Sequence, residues 1–165
     1  MMRKNAGRTV MMSVGAAALL GCASGAVTGS VAQPGQPAAP LTMTWQSGLF
    51  GESGKISAVL PDGERLAGTY TVVTRGTSWS AIDPAWKGDV PGGAQGQIDD
   101  SMWGAAQNQE TFVRGHLNKA VATLRSDRGT TMLCRFTLAS GEAGMGGGGA
   151  GECQTSHGAK ITAKF

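Results

Sequence analysis

The sequence predicts an all-β fold, a small antiparallel β-barrel or β-sandwich built from hairpins. Three observations carry this. Apolar residues recur with a period of two along most of the chain after residue 40, short turn sequences break the alternating runs, and helical periodicity is scarce. Successive hairpins form a meander with one buried face. A second sheet, or closure of the sheet on itself, must cover that face, hence sandwich or barrel.

The chain begins with segments of a different kind. Arg3, Lys4 and Arg8 precede the apolar run Val10 to Leu20, and mostly small residues close it from Ala18 to Cys22. A positive leader, a short apolar run and a small-residue end make the pattern of a secretory signal peptide, over residues 1–21. The run is shorter than the roughly 20 apolar residues that span a bilayer. An N-terminal core helix would need a polar face, and Met11 to Gly21 offers only Ser13. Residues 22–40 follow, rich in Gly, Pro and small side chains and without charge. They are expected to form a flexible tether with a reach of roughly 25 Å, leaving residues 41–165 as a single β domain.

Within that domain, Ile56, Ala58 and Leu60 alternate with Lys55, Ser57 and Val59 before Pro61-Asp62-Gly63, and Leu66, Tyr70 and Val72 share a face after it. Proline presets the turn angle and glycine supplies the positive φ for the return, so a hairpin is expected. Residues 119–139 repeat the plan around Ser126-Asp127-Arg128-Gly129, with Met132, Cys134, Phe136 and Leu138 on one face. Residues 151–165 repeat it around Thr155-Ser156-His157-Gly158, with Ile161, Ala163 and Phe165 on one face. The best helical segment is Asp99 to Glu110, where acidic residues suit a helix start but Gly104 weakens the interior.

Export sets the reading of the cysteines. With Cys22 set aside, Cys134 and Cys153 remain, an even number in a compartment where disulfides persist. A bridge would close a loop of about 20 residues and stabilise the domain by about 3 kcal/mol. It would also clip the ends of the Gly-rich run 141–152. The alternative, a thiol nucleophile with His157 or His116 as base, conflicts with Cys134 on an apolar strand face. A zinc site lacks paired spacing such as C-x-x-C, so no metal is expected.

Chemistry-bearing motifs are otherwise missing. The Gly run lacks the Gly-Lys-Ser/Thr ending and following helix of a phosphate loop, and no cofactor is expected. It is either a flexible loop or a chain crossing where side chains do not fit. Asp99 and Asp100 are adjacent, so they diverge instead of flanking a substrate. His116 and His157 belong to no Ser/His/Asp motif. These residues predict a protein that is not an enzyme. The chain holds 14 basic and 11 acidic residues, but three of the basic ones precede Cys22 and the rest are scattered. The electrostatic footprint of a nucleic-acid binder is therefore missing. A binding role would fall to the irregular segment 76–103, where Trp79, Trp86 and Trp103 either fill a core or form an aromatic platform for a glycan or a protein.

Leu19-Leu20-Gly21-Cys22 resembles the bacterial lipobox, the signal of the lipoproteins. That resemblance implies that the Cys22 thiol carries diacylglycerol, that the leader is cut off before it, and that the new N-terminus is acylated, including by palmitate. Two or more chains suffice for stable anchoring. Ala23, not Asp, follows the cysteine, which in Gram-negative lipoproteins implies the outer membrane, facing the periplasm or the cell surface. The C-terminal pattern, "SDRGTTMLCRF" and then "GGGGAGECQTSHGAKITAKF", is similar to small uncharacterised Gram-negative lipoproteins. Trp86-Lys87-Gly88-Asp89 is similar to a segment of the lipoprotein lysozyme inhibitors, also small disulfide-bearing barrels. The C-terminal resemblance brings no known activity; the expectation is an envelope or accessory module, or else a module that binds glycan, peptidoglycan or a host hydrolase through the Trp-bearing loops, with the membrane and an envelope protein or glycan as partners.

Overall fold

The structure is a computed structural model, and it describes residues 23–33, 35–49, 51–87 and 108–165. Eight antiparallel strands pair in chain order and close into a barrel. They are β1 (Ser24–Ala32), β2 (Ala39–Ser47), β3 (Ser53–Val59), β4 (Arg65–Val72), β5 (Lys119–Arg125), β6 (Thr131–Leu138), β7 (Gly149–Thr155) and β8 (Lys160–Lys164). Closure comes from β1 against β8, with Val31 opposite Ile161 and Gly29 opposite Ala163. Of the two architectures left open by the alternation, the chain adopts the barrel, which leaves no sheet edge exposed.

The period of two sorts the side chains. Val27, Met43, Ile56, Leu66, Tyr70, Leu124, Met132, Phe136 and Ile161 belong to one buried cluster inside the barrel. Eight strands enclose a space that side chains just fill. Filling it requires large rings beside missing side chains. Trp45 lies opposite Gly25, Tyr70 opposite Gly54 and Phe136 opposite Gly151. In each pair the ring occupies the place of a glycine's absent Cβ, which would lie 2.8 Å from Trp45, 2.6 Å from Tyr70 and 2.2 Å from Phe136. Trp45 then meets Tyr70 edge-on at 6.5 Å, and Phe136 meets Phe165 at 5.6 Å.

Outward positions carry Thr42, Thr44, Gln46, Lys55, Ser57, Lys160 and Lys164, all exposed. This is the inverse of a membrane-spanning barrel, whose outer face is an apolar band. Among the described residues, no helix is long and apolar enough to cross a membrane.

Cys134 and Cys153 form a disulfide between directly opposite residues of β6 and β7, with their α-carbons 4.0 Å apart. The Gly-rich run between them is a chain crossing. It folds over one end of the barrel through a short 3₁₀ turn at Gly144–Gly147 and sinks Met145 into the barrel core. Gly148 adopts φ +80°, and a Cβ there would lie 2.8 Å from the carbonyl oxygen of Phe165.

One expectation needs correction. The tether expected over residues 22–40 is occupied from Ser24 to Ala32 by β1, and β2 already begins at Ala39, so the barrel starts at Ser24 and not near Leu41. Alternation is present in β1, with Val27 and Val31 inward, but glycines at 25 and 29 take the remaining inward places and hide it. Among the described residues the one α-helix is α1 (Gln109–His116), which shares Gln109 and Glu110 with the helical segment expected over Asp99 to Glu110. Residues 99–107 lie outside the described residues.

Candidate functional site

Between β4 and β5 the chain leaves the barrel and packs back against its outer wall. Thr77 Oγ1 accepts from the Thr74 N–H at 2.8 Å and fixes the first bend. Ser78 caps a 3₁₀ turn at Trp79–Ala81. Asp83 caps the next, at Pro84–Lys87, by accepting from the Ala85 N–H at 2.8 Å. The same carboxylate takes two hydrogen bonds from the Arg125 guanidinium, at 2.9 and 3.0 Å, which pins this flap to β5. That bond raises the Arg125 pKa above its ordinary value against an opposing contribution from burial.

The flap returns as α1. Asn108 caps it by accepting from the Thr111 N–H at 2.9 Å, and Glu110 in the first turn and Arg114 in the last complement the helix dipole. Phe112 and His116, four residues apart, turn to the same side. Here they join Val73, Ile82, Ala85 and Trp86, with Val121 of β5 and Leu133 of β6, in a second buried cluster outside the barrel.

His116 packs against two members of this cluster, Phe112 and Trp86. Its ring stacks on Phe112 at 4.3 Å and meets Trp86 edge-on at 5.6 Å. Nδ1 stands 2.9 Å from the Phe112 carbonyl oxygen, so it carries the proton and donates. Nε2 is buried and has no hydrogen-bond partner among the described residues. Burial pushes the imidazole pKa down, the Phe112 carbonyl works against this, and the charges of Lys119 and Arg135 push it down further. The lowered pKa favours the neutral ring, which packs as an aromatic. His157 is exposed on the turn between β7 and β8, away from this cluster. Among the described residues, no group of three or more His, Cys, Asp or Glu side chains is placed to hold a metal ion.

Of the three tryptophans, Trp86 is 3% exposed and belongs to the outer cluster. Trp79 is half-buried and meets Phe112 edge-on at 5.8 Å. Both rings converge on Phe112 and pack the flap onto the wall. Trp103 and Cys22 lie outside the described residues.

Sequence reasoning missed a polar groove of about 690 Å³ on the wall around β1 and β8. Thr28, Ser30 and Thr162 supply hydroxyls, and Lys119, Arg135 and Lys164 supply cations beside one carboxylate, Glu152. Arg135 and Glu152 approach to 3.7 Å. Its floor includes Gly29, Ala150, Gly151 and Ala163, whose small size keeps the wall low. These residues come from both ends of the sequence and meet only because β1 closes on β8. The sole local signal was the alternation of Thr28 and Ser30 with Val27 and Val31. The chain matches no protein family, no curated protein and no solved structure in comparisons with each.

Proposed function

We propose that this protein is a lipid-anchored envelope lipoprotein, with lipid on Cys22 and a non-catalytic β-barrel that serves as an envelope or accessory module at the outer membrane. One observation carries the reading: the Leu19-Leu20-Gly21-Cys22 motif ends where the barrel begins. Ala23, the residue after the cysteine, accepts hydrogen bonds through its carbonyl from the Ser47 N–H at 2.7 Å and the Ser47 hydroxyl at 3.0 Å. Cleavage before Cys22 would thus leave every described residue of the barrel in the chain. The Cys134–Cys153 bridge supports the same reading, because disulfides persist in oxidising compartments outside the cytosol. Changing Cys22→Ser should move the protein from the membrane fraction to the soluble periplasm, or leave it unprocessed. Unchanged mature size and membrane partitioning in that variant would overturn the reading.

A second reading, a module that binds glycan or an envelope protein, is favoured by the groove of hydroxyls and cations on the wall. It fits a hydroxylated, acidic polymer such as peptidoglycan better than a stacking platform of Trp79 and Trp86, whose rings pack against Phe112. Lys119→Glu with Lys164→Glu should abolish sedimentation with isolated peptidoglycan while leaving the fold intact. Undiminished sedimentation of that variant would rule the groove out.

A further inference from the structure

Alternating strand direction sorts the connections into two sets. The β1–β2 connection and residues 60–64, 126–130 and 156–159 close one end, and the last three are polar turns that consume their own side chains. There Asp62 accepts from the Glu64 N–H, Ser126 from the N–H groups of Arg128 and Thr130, and Thr155 from the Ala159 N–H. The opposite end carries Ala23, the connection from β2 to β3, both feet of the flap, the Gly-rich crossing and Phe165. Gly51, Glu52, Arg75, Leu117 and Glu142 line one cavity of about 630 Å³ there, so these loops are neighbours. Leu49, in the β2–β3 connection, is 84% exposed, more than any other large apolar residue among those described. A shallow apolar hollow of about 430 Å³, formed by Val113 and Leu117 between Arg75 and Arg114, opens beside that cavity.

We propose that this end faces the membrane, with Leu49 entering the interfacial layer of the leaflet that takes the Cys22 lipid. The inference rests on the lipid-anchored reading. Its argument is distance. Only Ala23 separates Cys22 from Ser24, and one residue spans at most about 3.6 Å. Ala23 is itself held to Ser47, directly before the connection that bears Leu49. A lipidated chain therefore has no slack with which to stand off the headgroups, unlike one with the tether expected from the sequence. This end carries both signs, Arg75, Arg114, Lys119 and Lys164 beside Glu52, Glu110 and Glu142, and Arg114 already pairs with Glu110. The contact proposed is apolar insertion of the exposed Leu49 at the interface, which salt does not screen.

The test uses the full chain, processed in a Gram-negative host and reconstituted in vesicles of phosphatidylethanolamine and phosphatidylglycerol. An environment-sensitive fluorophore is attached at Leu49→Cys or, at the opposite end, at Asp62→Cys. With vesicles, the label at 49 should shift to the blue and lose most of its quenching by aqueous iodide, in low and high salt alike, while the label at 62 stays fully quenched. Equal quenching at both positions in a chain that floats with the vesicles would overturn the orientation and leave the anchor standing. Protection of 49 that rises with protein concentration in detergent would assign the surface to a second copy and also overturn it. A chain that neither floats nor carries the diacylglycerol mass would overturn the anchor, and this inference with it.

Discussion

The barrel interior and the outer aromatic cluster share β5 and β6 but follow different rules. Inside, every second residue contributes, and each strand faces its neighbours in fixed register, so Ala120 and Ala122 stand opposite Phe136 and Cys134. Outside, Val121 and Leu133 are the wall's contribution, and the rest comes from a flap shaped by single caps at Ser78, Asp83 and Asn108 and pinned to β5 by Arg125 on Asp83. The difference teaches where tolerance lies. The inner core is an interlocked set in which rings sit on glycines. The outer core is a lid on a wall that is already complete.

The largest expected effect breaks the inner set. Gly151→Val places atoms where the Phe136 ring lies, 2.2 Å from the absent Cβ, and overpacking on that scale should cost of the order of 4 kcal/mol or more. Circular dichroism should show little folded protein, and a cooperative melt close to that of the unaltered chain would refute the ring-on-glycine account. Next comes the outer cluster. Trp86→Ala should cost about 3 to 5 kcal/mol if flap and barrel unfold as one. A separate early transition in tryptophan fluorescence, with the far-ultraviolet melt unmoved, would instead show the flap to be an independent unit.

Reduction of Cys134–Cys153 ranks third, at about 2 to 4 kcal/mol, because the bridge closes the loop that carries the Gly-rich crossing. Denaturant titration with and without reductant measures it, and coincident curves would contradict it. The smallest effect is electrostatic. His116 has a folded-state pKa below its unfolded value of about 6.5, so the unfolded chain binds the extra proton. Stability should be unaffected by this group above about pH 7.5 and should fall as the pH drops through 6.5 toward the folded value, by at most about 1.4 kcal/mol per pH unit. His116→Phe, which keeps the ring stack, should remove that slope, and identical profiles for the two chains would show that the imidazole is not desolvated.

The same contrast explains how much was legible in the sequence. The inner faces of β3, β4, β6 and β8 were readable residue by residue, because a large apolar side chain marked most inward positions and Pro-Asp-Gly or Asp-Arg-Gly marked the turns. β1 was hidden because its inward glycines carry no hydropathy signal, and only their cross-strand partners explain them. The outer cluster was illegible for a different reason. Val73, Trp86, Phe112, Val121 and Leu133 follow no period, and Val121 and Leu133 stand at positions that alternation assigns to solvent. A strand buried on both faces loses the polar half of its pattern. Trp86 was readable as core or as platform, and only the wall beneath it decides for core. The groove required β1 and β8 to be neighbours, which no local pattern announces.

Lipid on Cys22, as proposed, would join the barrel to a membrane. Intact mass of the protein extracted from the membranes of its host tests it most directly. The account predicts a chain that begins at Cys22 and carries diacylglycerol and an acyl group, with the masses of Cys134 and Cys153 matching a closed bridge. A chain that begins at Met1, or one that begins after Cys22, would contradict it.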